Sequence, residues 1–331
     1  MFNLSKFLKL SKRQSGVGIS LSNSSIRMAE VFFKNNSLVL SQLGEMELSP
    51  GCFAENGEII KPDEIYRALN ELAEINDLRT KEVVTAIHGE MVVVRQFFLP
   101  FMPEKDLASA VVWEAENYIP FDLNDVEMDF AIAARDEENA QFNILVAAVP
   151  RSLVWQYYDL FTSCGIELIA IEVEPVAITR LPKLLLDQHN LTFPTALVDL
   201  GDNYTNLVVV SQKDVHFMRT IPMGFAKNDA KKEKNLVELK DEMEYEDKLN
   251  EMAFEVDRSL KYLQSRNGST SVSQILISGI GADSNAERIL NGILNLPVET
   301  LKFSLQDFKG NPFLLQPKYG VALGLALREV D

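Results

Sequence analysis

The sequence predicts an α/β protein of two duplicated halves, with a small α/β module inserted into the first. Three observations carry this. A unit of buried strand, polar turn, strand, short turn and strand occurs twice, about 180 residues apart, which is the size of a domain and not of a solenoid repeat. Helical periodicities follow each unit. Between the strands at Val83–Ile87 and Leu168–Val173, a strand–helix–strand–helix order stands apart as a module. The length of 331 residues also predicts about two domains.

The start, Met1 to Arg13, is basic and mildly amphipathic. It lacks the continuous apolar core and small-residue cleavage site of a secretory signal. We expect a tail over 1–15, either frayed or weakly drawn to an anionic membrane surface. The first unit reads as a strand at Gly16–Ser20, a turn at Ser22–Ser25, a strand at Ile26–Lys34, a turn at Asn35-Asn36 and a strand at Ser37–Leu48. Pro62 suits a first helical turn, and Ile65, Leu69 and Leu72 form its apolar stripe. The first half thus spans 16–90 and 166–193, and the module 91–165. Within the module, Val92–Leu99 is a strand. Pro103 begins a helix with Leu107, Val111, Glu114 or Ala115, and Tyr118 on one side, and Pro120 stops it. Gln141–Val149 is a strand, and Ser152 caps a helix over Leu153–Cys164 that Gly165 ends.

The second half, 194–331, repeats the unit: strand Thr195–Leu200, turn Gly201–Tyr204, strand Thr205–Val210, turn Gln212–Asp214, strand Val215–Arg219. Lys227–Lys248 is rich in charge and reads as a solvated helix or loop. A helix follows over about Leu249–Arg266, then a buried strand Gln274–Ser278 and a helix over Ser284–Leu294. The last helix, Pro317–Leu327, carries Gly320, Ala322, Gly324 and Ala326, small residues that permit close packing.

Hydrophobic residues make up 47%, enough for a substantial core, and the formal net charge is −16. Such a surface repels phosphate backbones, so nucleic acid is not an expected partner. Cys52 and Cys164 form no disulfide framework, which fits a reducing compartment, and His88, His189 and His216 are dispersed without metal-ligand spacing. No run of 18 apolar residues and neither a G-x-S-x-G nor a P-loop motif occurs.

Three turns fall where they can face one cleft: Ser20–Ser25, Asp199–Thr205 and Ser278–Asp283. Tight turns point successive backbone N–H groups at one spot and so suit phosphate. Gly279 and Gly281 allow close backbone approach before a helix. Asp199, at a strand end, suits Mg²⁺ or an ordered water. Each turn singly is an ordinary connector; their equivalent places in a duplicated unit raise the signal.

The chain also carries Leu99-Pro-Phe-Met-Pro-Glu-Lys-Asp-Leu107, Trp113-Glu-Ala-Glu-Asn-Tyr-Ile-Pro-Phe121 and Asn143-Ile-Leu-Val-Ala-Ala-Val-Pro150. Glu172-Val-Glu-Pro175, Val198-Asp-Leu-Gly201 and Ser278-Gly-Ile-Gly-Ala282 follow. In these it resembles the actin/Hsp70/FtsA superfamily and, over nearly its whole length, the PilM family of pilus-assembly proteins. The resemblance implies duplicated actin-like (RNase H-like) domains. It implies a cytoplasmic scaffold, peripheral at the inner-membrane face, of a type IV pilus or related secretion or competence platform. The implied partners are the cytoplasmic tail of a PilN-like membrane protein and other platform proteins, with self-association also open.

The implied ligand of the cleft is ATP with Mg²⁺, or none. The implied nucleotide-site residues are Ser20, Ser22, Asn23 and Ser24; Asp199, Gly201, Asp202, Asn203 and Thr205; and Gly279 and Gly281. Mg²⁺, if held, would fall to Asp199. The family's first loop resembles Asp-Ile-Gly-Ser-Ser, whereas Ser20-Leu21-Ser22-Asn23-Ser24 stand here. Ile280 replaces a further Gly, and the 225–248 region reads as shortened. The expectation is therefore not an enzyme. The alternatives are an ATPase of the same fold and an FtsA-like filament protein, the latter disfavoured because the chain ends at Asp331 without an amphipathic helix. The resemblance places the tail groove between the module and the first-half core. On strand Val92–Leu99 the period of 2 puts Arg95 and Phe97 on one face, a pairing suited to an extended peptide.

Overall fold

The computed structural model describes residues 15–34, 37–184, 191–226, 237–267, 271–307 and 312–328. The tail expected over 1–15 lies almost wholly outside the described residues, as do His189 and residues 227–236 of the charged segment.

The first half opens with the expected meander, β1 (Ser15–Leu21), β2 (Ser25–Lys34) and β3 (Ser37–Glu47), paired antiparallel. Helix α1 (Pro62–Ile75) buries Ile65, Leu69, Leu72 and Ala73 and carries Asp63 and Glu64 in its first turn, where carboxylates suit the helix dipole. It crosses over to β4 (Glu82–Ile87), which lies parallel to β1.

The module follows as β5 (Val93–Pro100), α2 (Glu104–Ala115), β6 (Val126–Asp136) and β7 (Gln141–Pro150), a three-stranded antiparallel sheet in the order β5-β7-β6. Its own core joins Val93, Phe97, Leu107, Val111, Ala115 and Ile144. The opposite face, with Val94, Leu145, Ala147 and Val149, belongs to the main core instead. Both faces of β7 are therefore covered, and it reads as a continuous apolar run. Strand β6 had no counterpart in the sequence reading: its acidic alternation, Glu127 and Asp129 among apolar residues, leaves it half-buried and masks its pattern. Tyr118 falls past the end of α2 and is 42% exposed, so it does not share the buried stripe. Helix α3 (Arg151–Ser163) begins two residues earlier than expected, with Pro150 and not Ser152 at the N-cap, and leads to β8 (Glu167–Val173) beside β4. Short helices α4 (Glu174–Ile178) and α5 (Leu181–Leu184) close the first half.

The second half repeats the meander as β9 (Thr195–Leu200), β10 (Thr205–Val210) and β11 (Val215–Ile221). Helix α6 (Val237–Asn267) is followed by β12 (Gln274–Gly279), α7 (Ser284–Leu294) and β13 (Val298–Thr300). The five-stranded sheet runs β11-β10-β9-β12-β13, with a core of its own. Helix α6 starts well before Leu249, so part of the charged segment is helical.

The chain then returns to the first half, and the boundary drawn as 194–331 needs correction there. Strands β14 (Phe303–Asp307) and β15 (Pro312–Leu315) extend the first sheet to β15-β14-β3-β2-β1-β4-β8, with β14 parallel to β3. Helix α8 (Gly320–Ala326) lies on β1 so closely that a Cβ on Gly18 would sit 2.1 Å from the Ala322 carbonyl oxygen. A Cβ on Gly324 would sit 2.3 Å from that of Ala177. The small-residue stripe thus packs across the two glycines, and what it packs on is the first half.

Candidate functional site

The three turns do converge. One cleft between the halves is lined by Ser20, Ser22 and Asn23 from the first, by Asp199, Gly201, Asp202 and Asn203 from the second, and by Gly279 with Ile280 from the third. The sequence reading had not assigned Arg27, His88, Glu174, Tyr204 and Lys318, which also line it. Glu174 stood within a quoted motif, but only the fold brings the start of α4 under the second turn.

Each turn is held by hydrogen bonds or packing contacts within its own half. Ser22 Oγ donates to the Ser25 carbonyl (2.9 Å) and accepts from its amide (3.2 Å). Asn23 Oδ1 accepts from the Phe53 amide at 2.9 Å. Thr205 Oγ1 donates to the Met223 carbonyl at 2.9 Å and does not line the cleft. Gly279 adopts φ +92°, which favours glycine, and a Cβ on Gly281 would meet Phe225 and Leu200 within 3.0 Å. Both late glycines are therefore required by packing of the protein on itself.

Across the cleft the halves are latched. Ser24 donates to the Asp202 carboxylate from its hydroxyl (2.8 Å) and its amide (3.3 Å). The Tyr204 hydroxyl donates to the Glu55 carbonyl. Glu45 takes Arg27 Nε at 2.9 Å and also pairs with Lys318. Burial alone would raise the Glu45 carboxyl, but these two cations hold it below its ordinary value.

Beneath the latch sits a buried acidic pair. Burial, then the neighbouring Asp199 charge, pushes Glu174 up to about 8, against the Asn206 amide that donates to it at 3.1 Å. Burial pushes Asp199 up to about 6, opposed by Ser278 Oγ, which donates at 2.6 Å. Burial also pushes His88 down to about 4. Near neutral pH the Asp199–Glu174 pair therefore carries less negative charge than two free carboxylates would, beside a neutral imidazole.

The cavity itself measures about 40 Å³, whereas sites for small molecules take roughly 300–1,000 Å³. Asp202 is engaged by Ser24, and Ser20 offers no charge where the resemblance implies a carboxylate. In this closed arrangement the residues present do not fit a nucleoside triphosphate with Mg²⁺.

Arg95 and Phe97 separate in the structure. Phe97 is 3% exposed, in the module's core and stacked under Tyr118 at 5.5 Å, so its ring cannot meet a peptide. Arg95 is exposed, but at the joint with the second half and not with the first-half core, because β5 is the edge facing β11. Where α1 of the first half meets α3, a separate groove of about 430 Å³ is lined by Ile59, Pro62, Tyr66, Gln156, Asp159 and Leu160.

Comparison with known proteins matches residues 18–330 to the family model for type IV pilus assembly protein PilM. A solved PilM–PilN type IV pilus biogenesis complex is similar at TM-score 0.76 and 24% identity, covering 96% of this chain and 98% of that one. The ethanolamine utilization protein EutJ from Carboxydothermus hydrogenoformans is similar at TM-score 0.53 and 13% identity, over 97% and 92%. The cytoplasmic domain of EpsL, an inner-membrane component of the type II secretion system of Vibrio cholerae, matches at TM-score 0.50 and 12% identity, over 95% and 94%. The fold is the duplicated actin-like α/β architecture.

Proposed function

The chain belongs to the type IV pilus assembly protein PilM family, and on that premise we propose that it is a scaffold of the pilus inner-membrane platform, not an enzyme. The observation that carries this is the family match over almost the whole chain, joined to the likeness to a PilM–PilN complex. The partner we assign is the cytoplasmic tail of a PilN-like membrane protein, and the place is the groove between α1 and α3. That groove offers Tyr66 and Ile59 for apolar side chains and Asp63 and Asp159 for a basic one.

A tail partner also supplies what the chain needs to reach a membrane, since no helix among the described residues is long and apolar enough to cross one. The latched cleft supports the scaffold reading: Ser24–Asp202 and Tyr204–Glu55 join the halves into a fixed platform. Other platform proteins, self-association and a site at the cytoplasmic face of the inner membrane belong to the same proposal.

The test is fractionation of cells with and without the PilN-like protein. The chain should sediment with inner membranes only when that protein is present. Equal membrane association in its absence would overturn the assignment.

A further inference from the structure

The joint between the module and the second half holds a second groove, of about 760 Å³, that the platform reading does not use. Three features mark it.

The first is charge. Arg95, Arg219 and Arg258 line it, and among the described residues no carboxylate does. Arg219 and Arg258 share Glu255 at 3.1 and 2.6 Å, while Arg95 donates only to the Val94 carbonyl at 2.8 Å and has no acidic partner among the described residues. Three guanidinium groups thus face one carboxylate in a chain whose net charge is −16.

The second is the walls. Tyr118 and Tyr262 are 42% and 53% exposed. Phe97 stacks beneath Tyr118, and Phe217 packs on Tyr262, so both rings are held from behind. Tyr118 comes from the Trp-Glu-Ala-Glu-Asn-Tyr-Ile-Pro-Phe run, and the groove gives that exposed tyrosine a task.

The third is polar groups at the strand edges and in a recess beside them. β5 and β11 are the outer strands of their sheets, and an outer strand directs half its N–H and C=O groups away from its own sheet. Gln96 Nε2 already donates to the Val215 carbonyl across the joint at 3.3 Å. A recess sharing Gln96, Phe217 and Tyr262 with the groove is lined by Asn143, 4% exposed, and His216. Asn143 Oδ1 and His216 Nε2 are buried there without a hydrogen-bond partner among the described residues.

We propose that this groove takes an extended acidic segment of another polypeptide. Its carboxylates meet the three arginines, its apolar side chains lie on Tyr118 and Tyr262, and its backbone pairs with the outer strands. The guanidinium fork and the ring faces suit that ligand together. The site lies apart from the α1–α3 groove, so it stands whether or not that groove holds a membrane-protein tail.

The experiment measures fluorescence anisotropy of a labelled peptide of alternating Glu and Val with the full chain. The controls are a Lys–Val peptide and a labelled oligo-dT. The Glu–Val peptide alone should bind. Arg95→Glu with Arg258→Glu, both at exposed positions and checked by circular dichroism, should weaken it at least ~30-fold, and Tyr262→Ala about 3–10-fold, in line with charge-assisted and stacking contacts. Absence of Glu–Val binding, or binding unmoved by the double reversal, would overturn the proposal. Equal binding of oligo-dT would reassign the groove to single-stranded nucleic acid, and a change of oligomeric state in the reversed variant without peptide binding would reassign it to a second copy. Binding of the PilN-type tail should be unchanged in these variants, which separates failure here from failure of the platform reading.

Discussion

Replacing Glu174 by Gln should stabilise the protein at alkaline pH. The carboxyl is buried beside Asp199 and is pushed up to about 8, whereas in the unfolded chain it returns to 4.5. Its folded value is raised, so over the interval between the two the folded state holds a proton that the unfolded state has released. Stability is therefore full below the unfolded value and falls as pH rises towards 8. The interval is about 3.5 pH units at 1.36 kcal/mol each, or on the order of 4–5 kcal/mol when fully expressed. Asp199, pushed up to about 6, adds to the fall in the same direction. Gln keeps the shape and an acceptor oxygen for Asn206 Nδ2 while removing the titration. Denaturant unfolding at pH 5.5 and pH 8.5 checks it. The parent should lose stability between the two, and Glu174→Gln should lose at least ~2 kcal/mol less. A parent with equal stability at both, or a variant weaker than the parent at pH 8.5, would refute the reasoning.

Other expectations follow from the same contacts. Asp202→Ala removes the acceptor for Ser24 and should cost about 1–3 kcal/mol, with faster hydrogen exchange at Asn23–Ser25 and Gly201–Tyr204. Unchanged exchange there would mean that the halves are joined elsewhere. Arg328→Ala removes one of the two guanidinium partners of buried Glu172 and leaves the Glu172–Arg180 pair in place, so thermal melts should show a loss of about 1–3 kcal/mol. ATP hydrolysis should be negligible, given Ser20 and a cavity of about 40 Å³; steady phosphate release that disappears in Asp199→Ala would contradict this. Gly281→Val should unfold the second half, because the side chain meets Phe225 and Leu200, so a soluble variant with the parent's melting temperature would be inconsistent with the packing.

The duplicated meander was legible because buried strands with polar turns announce themselves locally, and Ser22, Asn23, Asp199 and Gly201 fell together as their equivalent places required. What stayed hidden is long-range. Nothing local says that β14 pairs with β3, or that the small residues of α8 lie on Gly18, because those contacts join positions about 270–300 apart. Ser24 and Asp202 each read as a turn residue; only the juxtaposed halves make them a latch. Arg27, His88 and Glu174 entered the site by burial and not by motif. The period of 2 correctly put Arg95 and Phe97 on one face of β5, but it cannot tell that α2 and Tyr118 cover that face over Phe97 while Arg95 remains open.

We propose above that this chain is a platform protein that grips a membrane protein's tail without needing nucleotide. Calorimetric titration of the chain with a synthetic cytoplasmic tail of the PilN-like protein from the same cell, with and without ATP and Mg²⁺, tests it most directly. One tail should bind per chain, with the same affinity in both conditions and a marked loss on Tyr66→Ala in the α1–α3 groove. No heat of binding in either condition, or binding that appears only with ATP and Mg²⁺, would contradict it.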